Sequence, residues 1–322
     1  MWTIGVYTSG GDAPGMNAAV RAVVRMAHSQ NAKVIGIRSG YYGMLQNDMF
    51  PLDLRSVAGV IQRGGTFLQT GRCPEFLQKE NRKKAFDNLI RAGINSLVCI
   101  GGDGSFRGAH ALHVEFGIPV IGVPGTIDND IYGTDFTIGF DTAVNTALEA
   151  IDRIRDTATS HNRIFIVEVM GRDSGYLALD VGIAGGAQEI FIPEEINDIN
   201  ACIQRLKDSI DNGKQYSIFV TAEGQKPGRA YDLCDAIKKK TGLDAKVCIL
   251  GHIQRGGSPT ARDRVIASGL GAGAVDALLR GETDKMAGIQ DGKLVLVPLL
   301  DAIQKKPAIR KDKIQLARIL SS

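Results

Sequence analysis

The chain has 322 residues, with 38 Lys and Arg against 35 Asp and Glu, for a formal charge of +3. That length fits two domains or one large α/β unit, and 44% apolar with 23% charged residues excludes intrinsic disorder. So small a charge argues for neither nucleic acid nor a membrane surface, which leaves anion binding to local geometry. No run reaches the ~18 apolar residues of a membrane span. Residues 1–7 lack a basic leader and read directly as a strand, so no secretory signal is expected. Five widely spaced cysteines without a CxxC predict neither a disulfide framework nor a cysteine metal site, and suit the cytoplasm. Glycine, at 39 residues, exceeds the usual ~7% and clusters in short turns.

Short apolar runs alternate with helical periods, the pattern of βα units around a mainly parallel sheet. Strands are predicted at 3–7, 33–37, 96–100, 119–123, 164–169, 189–192, 217–221, 247–250 and 294–297. The first helix, 16–28, places Val20, Val23, Val24 and Ala27 on one face and Arg21, Arg25 and His28 on the other. A second, 141–155, has Asp141 as a plausible N-cap and Val144, Ala147, Leu148, Ile151 and Ile154 as its buried stripe. Further helices are expected at 80–91, 108–116, 198–211, 231–240 and 261–279. No Pro- or Ser-rich linker divides the chain, so two domains would share an extensive contact and more than one chain crossing.

The familiar nucleotide signatures are absent. Gly213-Lys214 and Gly292-Lys293 lack the hydroxyl and upstream glycine of a P-loop, and Gly102-Asp103-Gly104 meets its next glycine only at Gly108. Two glycine-rich turns instead follow strands and open helices: Gly10 to Gly15, and Gly101-Gly102-Asp103-Gly104-Ser105. Backbone N–H groups there can face an anion at a helix N-terminus. Asp103 would repel bare phosphate but suits a metal–phosphate complex; equally, it reads as a helix cap in a tight turn. Pro124-Gly125-Thr126-Ile127-Asp128-Asn129-Asp130 sets two carboxylates at a strand's C-terminal end, as a proton acceptor and its neighbour or as an Asx-turn. Arginines flank other turns: Arg63-Gly64-Gly65, Arg72, Arg163, Arg172 and Arg255-Gly256-Gly257. Arg beside Gly suits phosphate. His252 and Glu223 are ambiguous alone. Together these features fit phosphoryl transfer onto a phosphorylated small molecule.

The blocks TSGGDAPGMNA (8–18), RGGTFL (63–68), IGGDGS (100–105), PGTIDND (124–130), GFDTA (139–143), VEVMGRDSG (167–175) and LGHIQRGGSP (250–259) resemble bacterial ATP-dependent 6-phosphofructokinases over essentially the full length. The resemblance implies an α/β fold of two similar Rossmann-like three-layer domains, with the active site in the cleft between them and a homotetramer as the assembly. Residues 1–138 with 252–305 would bind ATP, and 139–251 with 306–322 fructose 6-phosphate. The reaction implied is glycolytic transfer of the γ-phosphoryl to the sugar's 1-hydroxyl. Asp128 would be the general base, with Thr126 and Asp130 lining the reacting centre and Gly11, Arg72 and Arg172 stabilising the moving phosphoryl. Asp103 would serve Mg²⁺, and Gly102, Gly104, Ser105 and Cys73 would lie against ATP. The sugar would meet Ile127, Met170, Gly171, Glu223, Ile253 and Gln254. Its 6-phosphate would lie among Arg163, Lys246, His252 and Arg255, with Arg163 and Lys246 reaching in from a neighbouring subunit.

The resemblance also bears on the donor and on regulation. Pyrophosphate-using relatives typically place Asp at the position of Gly104 and Lys at that of Gly125, so ATP is expected. Lys246 stands where the family usually has Arg, which predicts weaker sugar-phosphate binding. Cys73 and Leu77 replace residues, commonly Phe and Arg, near the nucleotide, so other nucleoside triphosphates are expected to serve. At the family's effector site Arg21, Arg25, Arg55, Arg155 and Lys214 retain the positive charge, with Gly186 and Gln188 also at its positions. Gly59, Gln188 and Asn212 depart from its usual Asp, acidic residue and Lys, which predicts a blunted ADP response with phosphoenolpyruvate still binding. A pyrophosphate-dependent enzyme and a non-catalytic regulatory homologue are the alternatives. The catalytic set Asp103, Asp128 and Arg172 argues against the latter.

Overall fold

The computed structural model describes residues 2–161, 163–195, 198–224 and 227–320. Contacts divide the chain into two units: the residues up to Thr142 with Arg255–Pro307, and Ala143–Gln254 with the segment from Ala308. The chain thus passes between units after Thr142, Gln254 and Pro307. Among the described residues no helix is long and apolar enough to cross a membrane.

The first unit contains β1 (Thr3–Ser9), α1 (Met16–Ser29), β2 (Lys33–Ile37), α2 (Tyr41–Gln46), β3 (Met49–Leu52), α3 (Lys79–Arg91), β4 (Ser96–Gly101), α4 (Asp103–Phe116) and β5 (Val120–Pro124). Helix α5 (Phe140–His161) leaves it for the second unit. The second unit continues with β6 (Ile164–Val169), α6 (Tyr176–Ala184), β7 (Glu189–Phe191), α7 (Ile199–Asp211), β8 (Ser217–Ala222), α8 (Arg229–Thr241) and β9 (Ala245–Ile249). The first resumes with α9 (Ala261–Leu279), β10 (Lys285–Gln290), β11 (Lys293–Pro298) and α10 (Leu299–Gln304), and α11 (Lys311–Leu320) returns to the second.

The first sheet runs β11-β10-β5-β4-β1-β2-β3. Its interior pairs are parallel, and the two edge strands β3 and β11 are antiparallel to their neighbours. All of β4 is buried, as expected of a strand covered on both faces. On one face lie α1 and α9, with Val20, Val23, Val24 and Ala27 buried as their spacing predicts. These helices approach closely because Gly271 carries no side chain: a Cβ there would meet the Ala19 carbonyl at 2.5 Å. The other face buries Tyr7, Tyr41, Met44, Leu89, Leu97, Phe106 and Leu299 under α2, α3, α4 and α10.

The second sheet, β7-β8-β6-β9, is wholly parallel. Helices α7 and α8 cover one face through Cys202, Ile203, Leu206, Leu233 and Ile237, packed on Ile166 and Phe219. Helix α6, joined by α11, packs on β8 and β7 outside that cluster. Asp198 caps α7, accepting from the amides of Asn200 (2.9 Å) and Ala201 (3.2 Å). The start of α8 is capped from another element: buried Glu168 of β6 accepts from the amides of Gly228 (2.7 Å) and Ala230 (2.8 Å).

Two strands escaped the sequence. Met49–Leu52 carries Pro51, tolerated because β3 is a sheet edge. In β10, Gly288 breaks the apolar run, and a Cβ there would sit 2.8 Å from the Gly133 carbonyl. Helices α2, α6, α10 and α11 were also unforeseen, and α4 opens at Asp103, ahead of the expected start. Asp141 does not cap α5; it lies within the first turn and accepts from Thr260 Oγ1 at 2.7 Å. The carboxylate that fastens this start is Asp263, fully buried, accepting from Gly139 N (2.9 Å), Thr142 N (2.8 Å) and Thr142 Oγ1 (2.5 Å). Burial raises its pKa against the opposing pull of those donors. Asp263→Ala withdraws the acceptor from two backbone amides, so a loss of roughly 2–5 kcal/mol is expected. Urea unfolding measures it, and an unchanged midpoint would count against this fastening.

Candidate active site

Three loops emerge side by side in the first unit because their strands are in parallel register. Ser9 pairs with Gly101, and Gly101 with Pro124, at the C-terminal ends of β1, β4 and β5. Ligands of open α/β sheets bind at such ends. The turns fit only with glycine at key points. Gly10 takes φ +84°, and a Cβ on Gly101 would lie 2.5 Å from Ser105 Oγ and 2.6 Å from the Ser9 carbonyl. A Cβ on Gly102 would stand 3.8 Å from that of Thr126, while one on Gly104 would meet nothing within 4 Å. Thr70 Oγ1 donates to Gly10 O at 2.9 Å, drawing the loop that carries Arg72 and Cys73 to the first turn.

Arg255 reaches the same turn. Its Nη1 donates to Asp12 O at 3.2 Å and occupies the space beside Gly11, where a Cβ would come within 2.3 Å. The two Arg-Gly-Gly turns lie against each other, a Cβ on Gly64 falling 2.2 Å from Gly257 O. The structure therefore brings together Gly11, Gly102, Asp103, Gly104, Ser105, Thr126, Ile127, Asp128, Asp130 and Arg255, with the Arg72–Cys73 segment tied alongside.

Asp103 opens α4, where the helix dipole favours anions. One carboxylate oxygen lies 3.2 Å from Arg107 Nη2; the other is buried without a hydrogen-bond partner among the described residues. A buried carboxylate oxygen beside an anion-binding helix end fits a divalent cation shared with phosphate. Among the described residues no group of three or more His, Cys, Asp or Glu could hold a metal alone, so the remaining ligands would come from phosphate and water. In the next loop Ile127 is fully buried, Asp128 N donates to Thr126 Oγ1 at 3.2 Å, and Lys306 Nζ stands 3.9 Å from Asp130.

Beneath α4 lies a polar network that sequence reasoning missed. Tyr41 OH donates to the Ser105 carbonyl, Tyr7 OH donates to Tyr41 OH at 3.1 Å, and Cys99 Sγ lies 3.7 Å from Ser105 O. Burial pushes the Cys99 thiol up to about 12 and both tyrosines well above their usual range, so all three stay neutral. The sequence signal was Gly108, whose missing side chain admits the Tyr41 ring.

In the second unit Met170, Gly171 and Arg172 follow β6, and Glu223 follows β8, its N–H donating to Val169 O at 2.9 Å. Gly171 (φ +131°) and Arg172 (φ +50°) form a left-handed turn that leaves Arg172 exposed. His252 and Ile253 are exposed, but Gln254 is fully buried, accepting from Met170 N at 2.9 Å; its side chain holds the turn. Arg163 and Lys246 lie at the opposite end of this sheet. Arg163 precedes β6, and Lys246 pairs with Phe165, so at ~3.3 Å per residue about 20 Å of strand separates them from Met170.

Of the expected effector residues, Arg155, Gly186, Gln188 and Lys214 gather in the second unit. Arg155 donates to the Gly185 carbonyl, Gln188 Nε2 to Ser209 Oγ at 2.7 Å, and Lys214 N to Ser209 O at 3.0 Å. A Cβ on Gly186 would lie 3.5 Å from Arg155 Nη2. Arg21 and Arg25, one turn apart on α1, and exposed Arg55 belong to the first unit.

Glycine-lined anion turns, a helix-end carboxylate and paired acids at strand ends define a phosphate-handling α/β protein. The family model described as Phosphofructokinase matches residues 3–278. ATP-dependent 6-phosphofructokinase 1 of Thermus thermophilus is 58% identical over 321 residues, covering all of both chains. The ATP-dependent 6-phosphofructokinase of Halothermothrix orenii is 52% identical over 331 residues, again covering both chains. The solved phosphofructokinase of Saccharomyces cerevisiae superposes with TM-score 0.88 at 38% identity, over 99% of this chain and 47% of the yeast chain. The chain belongs to the phosphofructokinase family.

Gly108→Ala would set a Cβ 2.6 Å from Tyr41 Cζ, forcing the ring off the Ser105 carbonyl. Overpacking of this kind is expected to cost about 1–3 kcal/mol. Thermal unfolding reports it; an unshifted transition would mean that the ring yields freely.

Proposed function

We infer that this protein transfers the γ-phosphoryl of ATP to the 1-hydroxyl of fructose 6-phosphate, giving fructose 1,6-bisphosphate and ADP. The observation that carries this reading is the convergence of Gly11, Asp103 and Thr126–Asp130 at the ends of three adjacent parallel strands. Asp128 takes the hydroxyl proton as the sugar oxygen attacks phosphorus, and the released ADP carries the bridging oxygen. Backbone at Gly11 with the Arg72 and Arg172 guanidinium groups stabilises the migrating phosphoryl, and Thr126 and Asp130 line its path. Asp103 would hold Mg²⁺, which supplies charge neutralisation on the nucleotide phosphates. Met170, Gly171 and Glu223 take the sugar, and His252 and Arg255 its 6-phosphate.

ATP is preferred to pyrophosphate, because the space beside Gly104 stays open for a nucleotide's inner phosphate. The distance of Arg163 and Lys246 from Met170 supports a homo-oligomer, a tetramer by resemblance, in which both serve a neighbour's 6-phosphate. The cluster around Arg155 supports an anion effector such as phosphoenolpyruvate. A weak ADP response follows from Gly59, Gln188 and Asn212, and a cytoplasmic setting from five widely spaced cysteines without a CxxC.

A coupled assay comparing ATP, GTP and pyrophosphate tests the reading. Asp128→Ser should lower kcat by about 10²–10⁴-fold with little change in KM, as loss of a general base requires. An undiminished kcat would remove Asp128 from that role. Lys246→Arg replaces a point charge with a bidentate fork, so the apparent affinity for fructose 6-phosphate should improve. An unchanged KM would place Lys246 away from the phosphate.

A further inference from the structure

We propose that Asn129 and Thr137 are positioning residues for the phosphoryl transfer, a clamp that sets the direction of the Asp128 carboxylate. The inference rests on the assignment of Asp128 as the base. Asn129 stands between the two acids yet is only 8% exposed, so its side chain is spent on the protein. Its Nδ2 donates to Asp135 O at 3.1 Å, and its Oδ1 accepts from Thr137 N at 2.8 Å. Thr137, 1% exposed, commits its hydroxyl proton to Thr126 O at 2.6 Å, with Asn129 Oδ1 a longer contact at 3.2 Å. These bonds tie residue 126, at the start of the loop, to its end.

The backbone agrees. Asn129 adopts φ +49°, a left-handed conformation that Asn tolerates better than most residues. This left-handed residue turns the chain between the two acids. The loop closes through Thr126 N to Ile138 O (3.1 Å) and Ile138 N to Pro124 O (2.9 Å). Its far side is fastened to β10, Asp135 N donating to Ile289 O at 2.7 Å and Ile289 N to Thr134 Oγ1 at 3.0 Å. The segment 126–137 is therefore a closed loop with two polar rivets inside it, in an element that needs the carboxylates held within ~0.5 Å. Misplacement of a reacting group by about 1 Å costs on the order of a hundredfold in rate.

The test uses two clamp variants and a background. Asn129→Gly keeps the left-handed backbone and removes every side-chain bond; Thr137→Val is nearly isosteric and removes only the hydroxyl. Each is expected to lower kcat by roughly 10–100-fold while the KM values for ATP and fructose 6-phosphate stay within about threefold and the urea midpoint confirms folding. Thr137→Ser, which restores the hydroxyl, should recover most of the loss. In an Asp128→Asn background the same clamp variants should cost less than about threefold, since a positioning residue acts through the group it positions. Wild-type kcat in both clamp variants would overturn the proposal. So would an equal loss in both backgrounds, which marks general support of the loop. Should Asp128→Asn alone match the wild type, the reading of Asp128 fails, a result distinguishable from failure of the clamp.

Discussion

The chemistry of this protein depends on one constraint, the parallel register that aligns the carboxyl ends of β1, β4 and β5. Parallel strands deliver their following loops to the same edge of a sheet, and here Ser9, Gly101 and Pro124 are direct neighbours. Everything placed there inherits its position from the hydrogen-bond ladder: the glycine turn, the helix end carrying Asp103, and the paired acids. Side chains are excluded at Gly11 and Gly101, where Arg255, Ser105 and Ser9 already fill the space a Cβ would need, while the space beside Gly104 is open. Backbone N–H groups are left as the available recognition surface, which suits an anion.

Charge in the structure is handled by the same economy of backbone. Asp263 and Glu168 are buried, and each accepts from main-chain amides near a helix start. Neither needs a buried cation as a partner, which would carry its own desolvation cost. Cys99, Tyr7 and Tyr41 show the complementary solution, remaining neutral in the core beneath α4. The helix end above them is thus supported by groups that do not compete electrostatically with a bound phosphate.

Much of this was legible in the sequence, and the exceptions have causes. Buried parallel strands are written as continuous Val and Ile runs, so β1, β4, β5, β6 and β8 could be read directly. Pro51 in the edge strand β3 and Gly288 inside β10 interrupt the apolar runs, which hid both strands. The motif loops were visible because glycine and acid spacing is local. Their supports were not: Thr137 lies eight residues from Asn129, Asp263 over a hundred from Thr142, and Tyr41 sixty-four from Ser105. Gln254 reads as a ligand-facing residue within its motif, yet the fold turns it inward onto Met170. Pairwise contacts between distant segments leave no periodic trace in one sequence.

The order of strands has a consequence for synthesis on the ribosome. β5, at residues 120–124, finds its second neighbour only in β10, at 285–290, and α9 joins α1 equally late. Between them the chain emits the whole Ala143–Gln254 segment. At translation speeds of about 5–20 residues per second, one edge of the nascent first sheet stays open for roughly 10–30 seconds, during which the inserted unit can close on its own four strands. An unpaired buried-type strand is an invitation to intermolecular pairing, so the interval before residue 285 emerges is when a chaperone has most to protect.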